Sequence, residues 1–420
     1  MTEPAARRRR LTRRRLLCGL GAGAAGAAGL RWGIPRWTRP GPIVPVEELS
    51  DPARELVRRS FQGVERALLW DLHAHLVGLD SGRNGTWVHP DMQSWRHPWR
   101  KLQFDVYLSA AGASGQGAAD VDRVYVERLF ALHRAMNPEG KLVLLAFDER
   151  VEPDGTVDRA GSSFHTPDAY ALRLAAEHDD VLACISVHPS RPDALARLEA
   201  GRAAGAVLVK WLPNAMGIDP SAKEHEPFYA RLRELGLVLL SHTGNEKAVH
   251  AEEDQALGNP LLLRRPLDAG VRVIAAHCAT YGTDVDLDRP GAVRVPSFEL
   301  FLRLMGEGTE GRLFGGLSAV TLVNREPDVL RQLLSATELH PRLVNGSDYP
   351  LPAIDYLVSP WLLARRGLLE PSEVTPLREI FRANPLLFDF VLKRRLRLET
   401  GAGPVRFAAS AFETGRLFRA

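Results

Sequence analysis

Eight short apolar runs, alternating with helix-like stretches from about residue 68 onward, constrain this chain more than any other feature. The runs are Leu68–Leu72, Leu142–Phe147, Leu182–Val187, Ala206–Lys210, Leu237–Ser241, Val271–Ala275, Leu313–Ser318 and Leu343–Gly346. Most are rich in Leu or β-branched residues and apolar at successive positions, as parallel strands buried between an inner core and a helical layer must be. The stretches between them, such as Pro167–His178, Pro192–Ala204 and Pro227–Leu235, carry charges on one side, and several open with Pro near the first turn. Strand then helix, eight times over, predicts an α/β chain folded as a (β/α)8 TIM barrel across residues 68–395. An open doubly wound sheet is the alternative, and no Gly-rich phosphate fingerprint follows the first run, which counts against it. The 420 residues leave room for several average domains, but an α/β barrel often exceeds roughly 250 residues as one.

The connection after the first run is long, about residues 76 to 141, and holds Trp87, His89, Trp95, His97 and Trp99. Loops leaving the C-terminal ends of barrel strands form the active-site mouth. This insertion is therefore either a lid or substrate wall, or a loop with a small aromatic core of its own.

Metal-competent residues stand where a barrel places its chemistry. Asp71-Leu72-His73-Ala74-His75 ends the first run, and side chains two apart in a strand share a face, so His73 and His75 both point to the barrel axis. Two imidazoles so placed reach one cation at about 2.0–2.1 Å. His242, His277 and Asp348 each follow a predicted strand, and Lys210 ends the fourth. The intervals fit one geometry. Lys210 to His242 is 32 residues and His242 to His277 is 35, each one strand-plus-helix unit; His277 to Asp348 is 71, two units, with the seventh strand between. A buried His or Asp singly has a structural reading as well; the shared spacing favours the functional one.

Around these residues the chain resembles the amidohydrolase superfamily, most closely the branch called amidohydrolase type 2. The similar stretches are Trp70-Asp71-Leu72-His73-Ala74-His75, Val209-Lys210-Trp211-Leu212-Pro213-Asn214, Ser241-His242-Thr243-Gly244, Ala276-His277-Cys278, Gly346-Ser347-Asp348-Tyr349-Pro350 and Asn384-Pro385-Leu386-Leu387-Phe388. The resemblance implies that His73, His75, His242 and Asp348 bind a divalent metal, and that His277 acts as ligand, acid/base or polariser of the substrate. It also implies a metal-dependent hydrolase acting on an amide, lactone or ester of a small molecule. In binuclear members of the superfamily a lysine on the fourth strand is carboxylated and bridges two ions. Lys210 therefore leaves two metals open, although the flanking sequence is closer to the mononuclear branch. Zinc suits the ligand set, and manganese or iron also fit. A decarboxylase or hydratase of the same superfamily shares the ligands, and a non-catalytic binding protein is a third reading that the intact ligand set opposes.

Weaker polar candidates surround these. His188, before Pro189, either touches substrate or caps its strand. Asn245 and Glu246 are placed to support His242. His225 and His340 read as surface residues.

The basic excess sits at the start. Seven Arg and one acid occupy the first 30 residues, and the remainder holds 47 Lys and Arg against 50 Asp and Glu. Without a basic field, nucleic acid is not an expected partner, and no strong cationic cluster announces an anionic substrate. Thr12-Arg13-Arg14-Arg15-Leu16-Leu17, followed by Gly, Ala and Leu to Leu30, reads as an export signal resembling the twin-arginine type, with the periplasm or exterior as destination and the twin-arginine machinery as a partner. Its 15 apolar residues make a helix of about 22 Å, short of a ~30 Å hydrocarbon core. Residues 31–67 read as linker and N-terminal segment, and 396–420 as a C-terminal tail. Of three cysteines, Cys18 lies in the leader, and Cys184 and Cys278 fall near strands three and six, so no disulfide framework is expected.

Overall fold

A computed structural model of the chain describes residues 40–419 apart from 82, 115–119, 250, 252 and 310. The leader lies outside the described residues. Eight parallel strands form one sheet in sequential order: β1 (Asp71–His75), β2 (Leu142–Leu145), β3 (Val181–Ile185), β4 (Leu208–Trp211), β5 (Val238–Ser241), β6 (Val273–Ala275), β7 (Leu313–Gly316) and β8 (Leu343–Val344). The chain just past β8 then meets β1. Ala74 bridges Tyr349, Leu72 N donates to the Asn345 carbonyl, and Asp348 N donates to that of His73 at 2.7 Å. Sequential order with the last strand returning to the first is a closed (β/α)8 barrel, since a doubly wound sheet reverses its order at a switch point.

Most strands are apolar on both faces because both faces are buried. Val143 and Leu145 of β2 join Leu72, Leu208, Val238, Leu240, Ile274 and Val344 inside the barrel. Leu142 and Leu144 alternate outward into the layer beneath the helices. Cys184 packs inside and Cys278 in the outer layer, both buried and free.

The first strand begins later than the apolar run predicts. Arg66–Leu68 is a 3-10 turn, and pairing runs from Asp71 through His75. Leu68 and Leu69 are apolar because they are buried below the strand. The polar His73 and His75 stay in the strand because its C-terminal end faces the site. Around the barrel, helix α1 (Asp51–Phe61) packs through Phe61 onto Phe390, at a ring separation of 4.7 Å, in helix α10 (Pro385–Arg395). Between them in sequence lie α2 (Pro98–Ala110), α3 (Val121–Met136), α4 (Asp168–Glu177), α5 (Ala194–Ala203), α6 (Glu226–Leu235), α7 (Ser297–Gly306), α8 (Pro327–Ser335) and α9 (Val374–Ala383). The segment after α10 folds back under the barrel. Phe418 stacks on Trp70 at 5.3 Å and Thr414 Oγ1 donates to the Trp70 carbonyl, so these residues close the end opposite the site.

His225 and His340 are corrected: both are buried. Charged neighbours (Lys223, Glu224, Glu338) give each a surface look in sequence. The fold instead sets His225 against Trp211, and His340 Nε2 donates to the Leu333 carbonyl while Nδ1 accepts from Ala408 N.

Candidate metal centre

The C-terminal ends of the strands converge on a cavity of about 260 Å³. On its floor Nε2 of His73, Nε2 of His75 and Oδ1 of Asp348 form a tight triangle. The separations are 3.3 Å between the histidines, 3.1 Å from His75 to Asp348 and 3.3 Å from His73 to Asp348. Donors about 2.1 Å from one ion lie about 3.0–3.4 Å apart at right-angled to tetrahedral angles, so the trio has the spacing of a ligand set. The donor chemistry, two imidazoles and a carboxylate, suits a divalent cation.

Local structure explains how the trio forms. Asp71 Oδ1 accepts from His73 N at 3.0 Å and from Ser347 N at 2.9 Å, tying β1 to the turn that carries Asp348. Asp348 and His277 take left-handed backbone angles, with φ of 65° and 60°. Such angles cost a non-glycine residue about 1–2 kcal/mol, and such strain gathers at functional sites. Gly346 passes over His73 so closely that a Cβ would lie 2.7 Å from the His73 Cβ. Only glycine fits there without displacing the histidine.

The other predicted residues ring the trio. His242 and His277 stand with ring centres 5.1 Å apart, and His277 lies 5.1 Å from His73. Their nitrogens fall outside the tight triangle. His242 Nδ1 is 3.5 Å from Glu246 Oε2, while its buried Nε2 meets no hydrogen-bond partner among the described residues. A carboxylate behind one ring nitrogen and an open lone pair on the other is how metal-ligating histidines are held. His277 Nδ1 lies 3.1 Å from the Ser318 carbonyl, which can only accept, so the ring proton sits on Nδ1. Lys210 Nζ is fully buried and 3.5 Å from His73 Nε2.

Burial sets the electrostatics. It depresses His73 and His242 well below the usual imidazole range and His277 to about 4, so all three are neutral at neutral pH. Burial also lowers Lys210 to about 8, against the upward pull of Asp348. For Asp348 burial acts upward, but His277, His73 and His75 outweigh it and hold the carboxyl well below its ordinary range.

His188 stands past the end of β3 and does not line the cavity: Nε2 donates to the Met216 carbonyl and Nδ1 accepts from Ser190 N. Of the insertion's tryptophans, Trp95 and Trp99 are 44% and 74% exposed, and none lines the cavity. The wall comes instead from Val88, Met92 and, on α2, Phe104 and Tyr107. A second trio, Asp148, Glu149 and His165, lies after β2. Its carboxylates are taken up by arginines: Arg191 is 2.6 Å from Asp148 and 3.3 Å from Glu149, and Arg197 is 3.2 Å from Asp148.

Sequence reasoning missed Asp71 as an anchor, and it missed Ser318 altogether. Ser318 Oγ lies 3.2 Å from His73 Nδ1 and 2.9 Å from His277 Nδ1. The position of Asp71, a charge inside an apolar strand two residues before His73, is a usable signal; Ser318 carries none. A family model described as Amidohydrolase matches residues 70–386, which hold all eight strands and every residue of the site.

The chain belongs to the amidohydrolase family.

Solved structures similar to this amidohydrolase include 5-carboxyvanillate decarboxylase from Novosphingobium aromaticivorans with bound manganese. It is 11% identical, with 83% of this chain and 96% of that one covered and a TM-score of 0.42. IDCase from Metarhizium anisopliae is 12% identical over 86% and 99%, with a TM-score of 0.40. N-acetyl-D-glucosamine-6-phosphate deacetylase from Mycobacterium smegmatis is 15% identical over 66% and 57%, with a TM-score of 0.31. No curated protein matches the chain in sequence.

Proposed function

We propose that this amidohydrolase is an exported hydrolase that uses one divalent ion, zinc for preference, to cleave an amide, lactone or ester bond by activated water. The observation that carries the reading is the His73–His75–Asp348 triangle on the floor of a largely apolar cavity. A divalent ion held there would supply Lewis acidity and draw the pKa of a water toward ~7.

The chain's own groups meet the remaining needs of hydrolysis. Asp348 divides its oxygens: Oδ1 belongs to the trio, while Oδ2 lies 3.9 Å from His277 Nδ1. One carboxylate thus offers a ligand atom and a second oxygen to take the proton of the attacking water and return it to the leaving group. His277, neutral with its proton on Nδ1, presents a lone pair at Nε2, which suits a ligand or a base. His242, backed by Glu246, is the further ligand that the open Nε2 favours. A single ion is proposed because one trio of donors beside the cavity converges to ligand spacing among the described residues. Export through the twin-arginine route rests on Thr12-Arg13-Arg14-Arg15-Leu16-Leu17 alone.

The test is product analysis of metal-loaded protein against esters, lactones, amides and aromatic carboxylates. Formation of the carboxylate with its alcohol or amine, without carbon dioxide, supports hydrolysis; carbon dioxide release assigns the site to a decarboxylase instead. His73→Ala and Asp348→Asn are expected to lose both ion and turnover while keeping the barrel's circular dichroism. Full turnover by a metal-free preparation would sink the reading.

A further inference from the structure

The cavity has two unlike walls. Loops after β1 and β2 bring Val77, Val88, Met92, Phe104, Phe147 and Phe164, an apolar surface. Strands four apart stand across a barrel from one another, so the loops after β5, β6 and β7 face this wall. They bring Lys247, Tyr281 and Arg325. The two cations converge on one ring: Arg325 Cζ lies 4.9 Å and Lys247 Nζ 5.4 Å from the centroid of Tyr281. Attraction of each cation to the aromatic face holds the pair together from separate loops.

The Arg325 guanidinium has no carboxylate partner among the described residues. Its Nε donates to the Ala319 carbonyl at 3.2 Å, which fixes the plane and leaves both terminal nitrogens without an acceptor among the described residues. The nearby Glu246 carboxylate is committed elsewhere, to Ala248 N and to the side of His242. Burial lowers Arg325 only to about 10, so it remains a cation at neutral pH. Of the described residues lining the cavity, the two carboxylates, Asp348 and Glu246, are engaged by His75 and by Ala248 N, not by Arg325 or Lys247. A guanidinium fixed through one nitrogen and open at the other two matches a carboxylate in bidentate fashion.

We propose that Arg325, assisted by Lys247, is a specificity residue that binds a carboxylate of the substrate, and that the substrate is an anion with an apolar body lying against the β1 and β2 loops. The inference rests on the functional reading of the cavity above and names its substrate class. No sequence window shows it, because the cations lie 78 residues apart.

Two matched probe pairs test it on zinc-loaded protein. Mono-4-nitrophenyl glutarate and 4-nitrophenyl butyrate differ only in a terminal carboxylate, as do glutaramate and butyramide. Hydrolysis is read as the ratio of kcat/KM for the esters, and binding as the ratio of Kd for the amides by calorimetry. Both ratios are expected to favour the carboxylate by about tenfold or more, the scale of a charge-assisted pair. Arg325→Ala should bring both toward one, and Arg325→Lys should keep part of the preference. Metal content of each variant shows that the site has stayed assembled. A binding preference that depends on Arg325, without ester cleavage, upholds this inference and rejects the hydrolase reading. Absence of preference in the wild type, or a preference that survives in metal-loaded Arg325→Ala, overturns the inference whichever reaction the site performs.

Discussion

Replacing Ser318 by alanine isolates the support given to one metal-facing histidine. Ser318 is fully buried just past β7, with its hydroxyl oxygen 3.2 Å from His73 Nδ1. Since His73 Nε2 faces the trio, the proton of the neutral ring sits on Nδ1 and Ser318 Oγ accepts it. Alanine deletes that acceptor and leaves a buried N–H unpaired, at a cost of about 1–3 kcal/mol. His277 keeps the Ser318 carbonyl at 3.1 Å, so the loss falls mainly on His73. The ring must be held in one orientation to bind an ion, so the expected result is a weakening of divalent-metal affinity by roughly 10–100-fold. Competition against a chelator of known affinity, with bound metal counted by mass spectrometry, measures it. Wild-type affinity in a Ser318→Ala protein with unchanged circular dichroism would refute the reasoning.

Three further outcomes are expected. Lys210→Ala should retain the one ion per chain proposed for the wild type; two ions, one of them lost in the variant, would establish a carboxylated lysine instead. For Asp148, burial pulls the carboxyl up, but Arg191 and Arg197 outweigh it and hold the folded value below the ordinary range. Its contribution to stability is therefore complete above the usual carboxylate pKa of about 4 and is lost as pH falls through the depressed folded value. Urea titrations at stepped acid pH should show Asp148→Asn with a shallower loss than wild type, and equal slopes would count against the assignment. Arg13→Lys combined with Arg14→Lys should strand precursor in the cytoplasm, whereas equal export of the double variant would exclude the twin-arginine route.

The barrel and most of its strands were readable in the sequence because parallel strands buried on both faces leave continuous apolar runs. The run around Leu313 coincides with the start of β7, and that at Val238–Ser241 differs from its expected start by one residue. Boundaries failed where residues serve something other than strand pairing. At β1 the bottom-filling leucines extended the run too early. His225 and His340 misread in the same way, since flanking charge reports on neighbours and not on the direction a helix end turns.

What the sequence by itself determined is periodic and local. It set eight strand units, a polar residue at the end of the right ones, and two histidines on one strand face, because strand alternation and unit length are properties of contiguous residues. Tertiary structure decided which donors meet. Closure of the barrel through Asp348 N and the His73 carbonyl puts residues 275 positions apart within hydrogen-bond distance, and completes the triangle with His75. It also placed Ser318 between two imidazoles, turned Arg325 and Lys247 onto Tyr281, and left the conspicuous tryptophans of the insertion outside the cavity. Those outcomes depend on loops from different strands crossing one mouth, and the distances between such loops are written only in the folded chain.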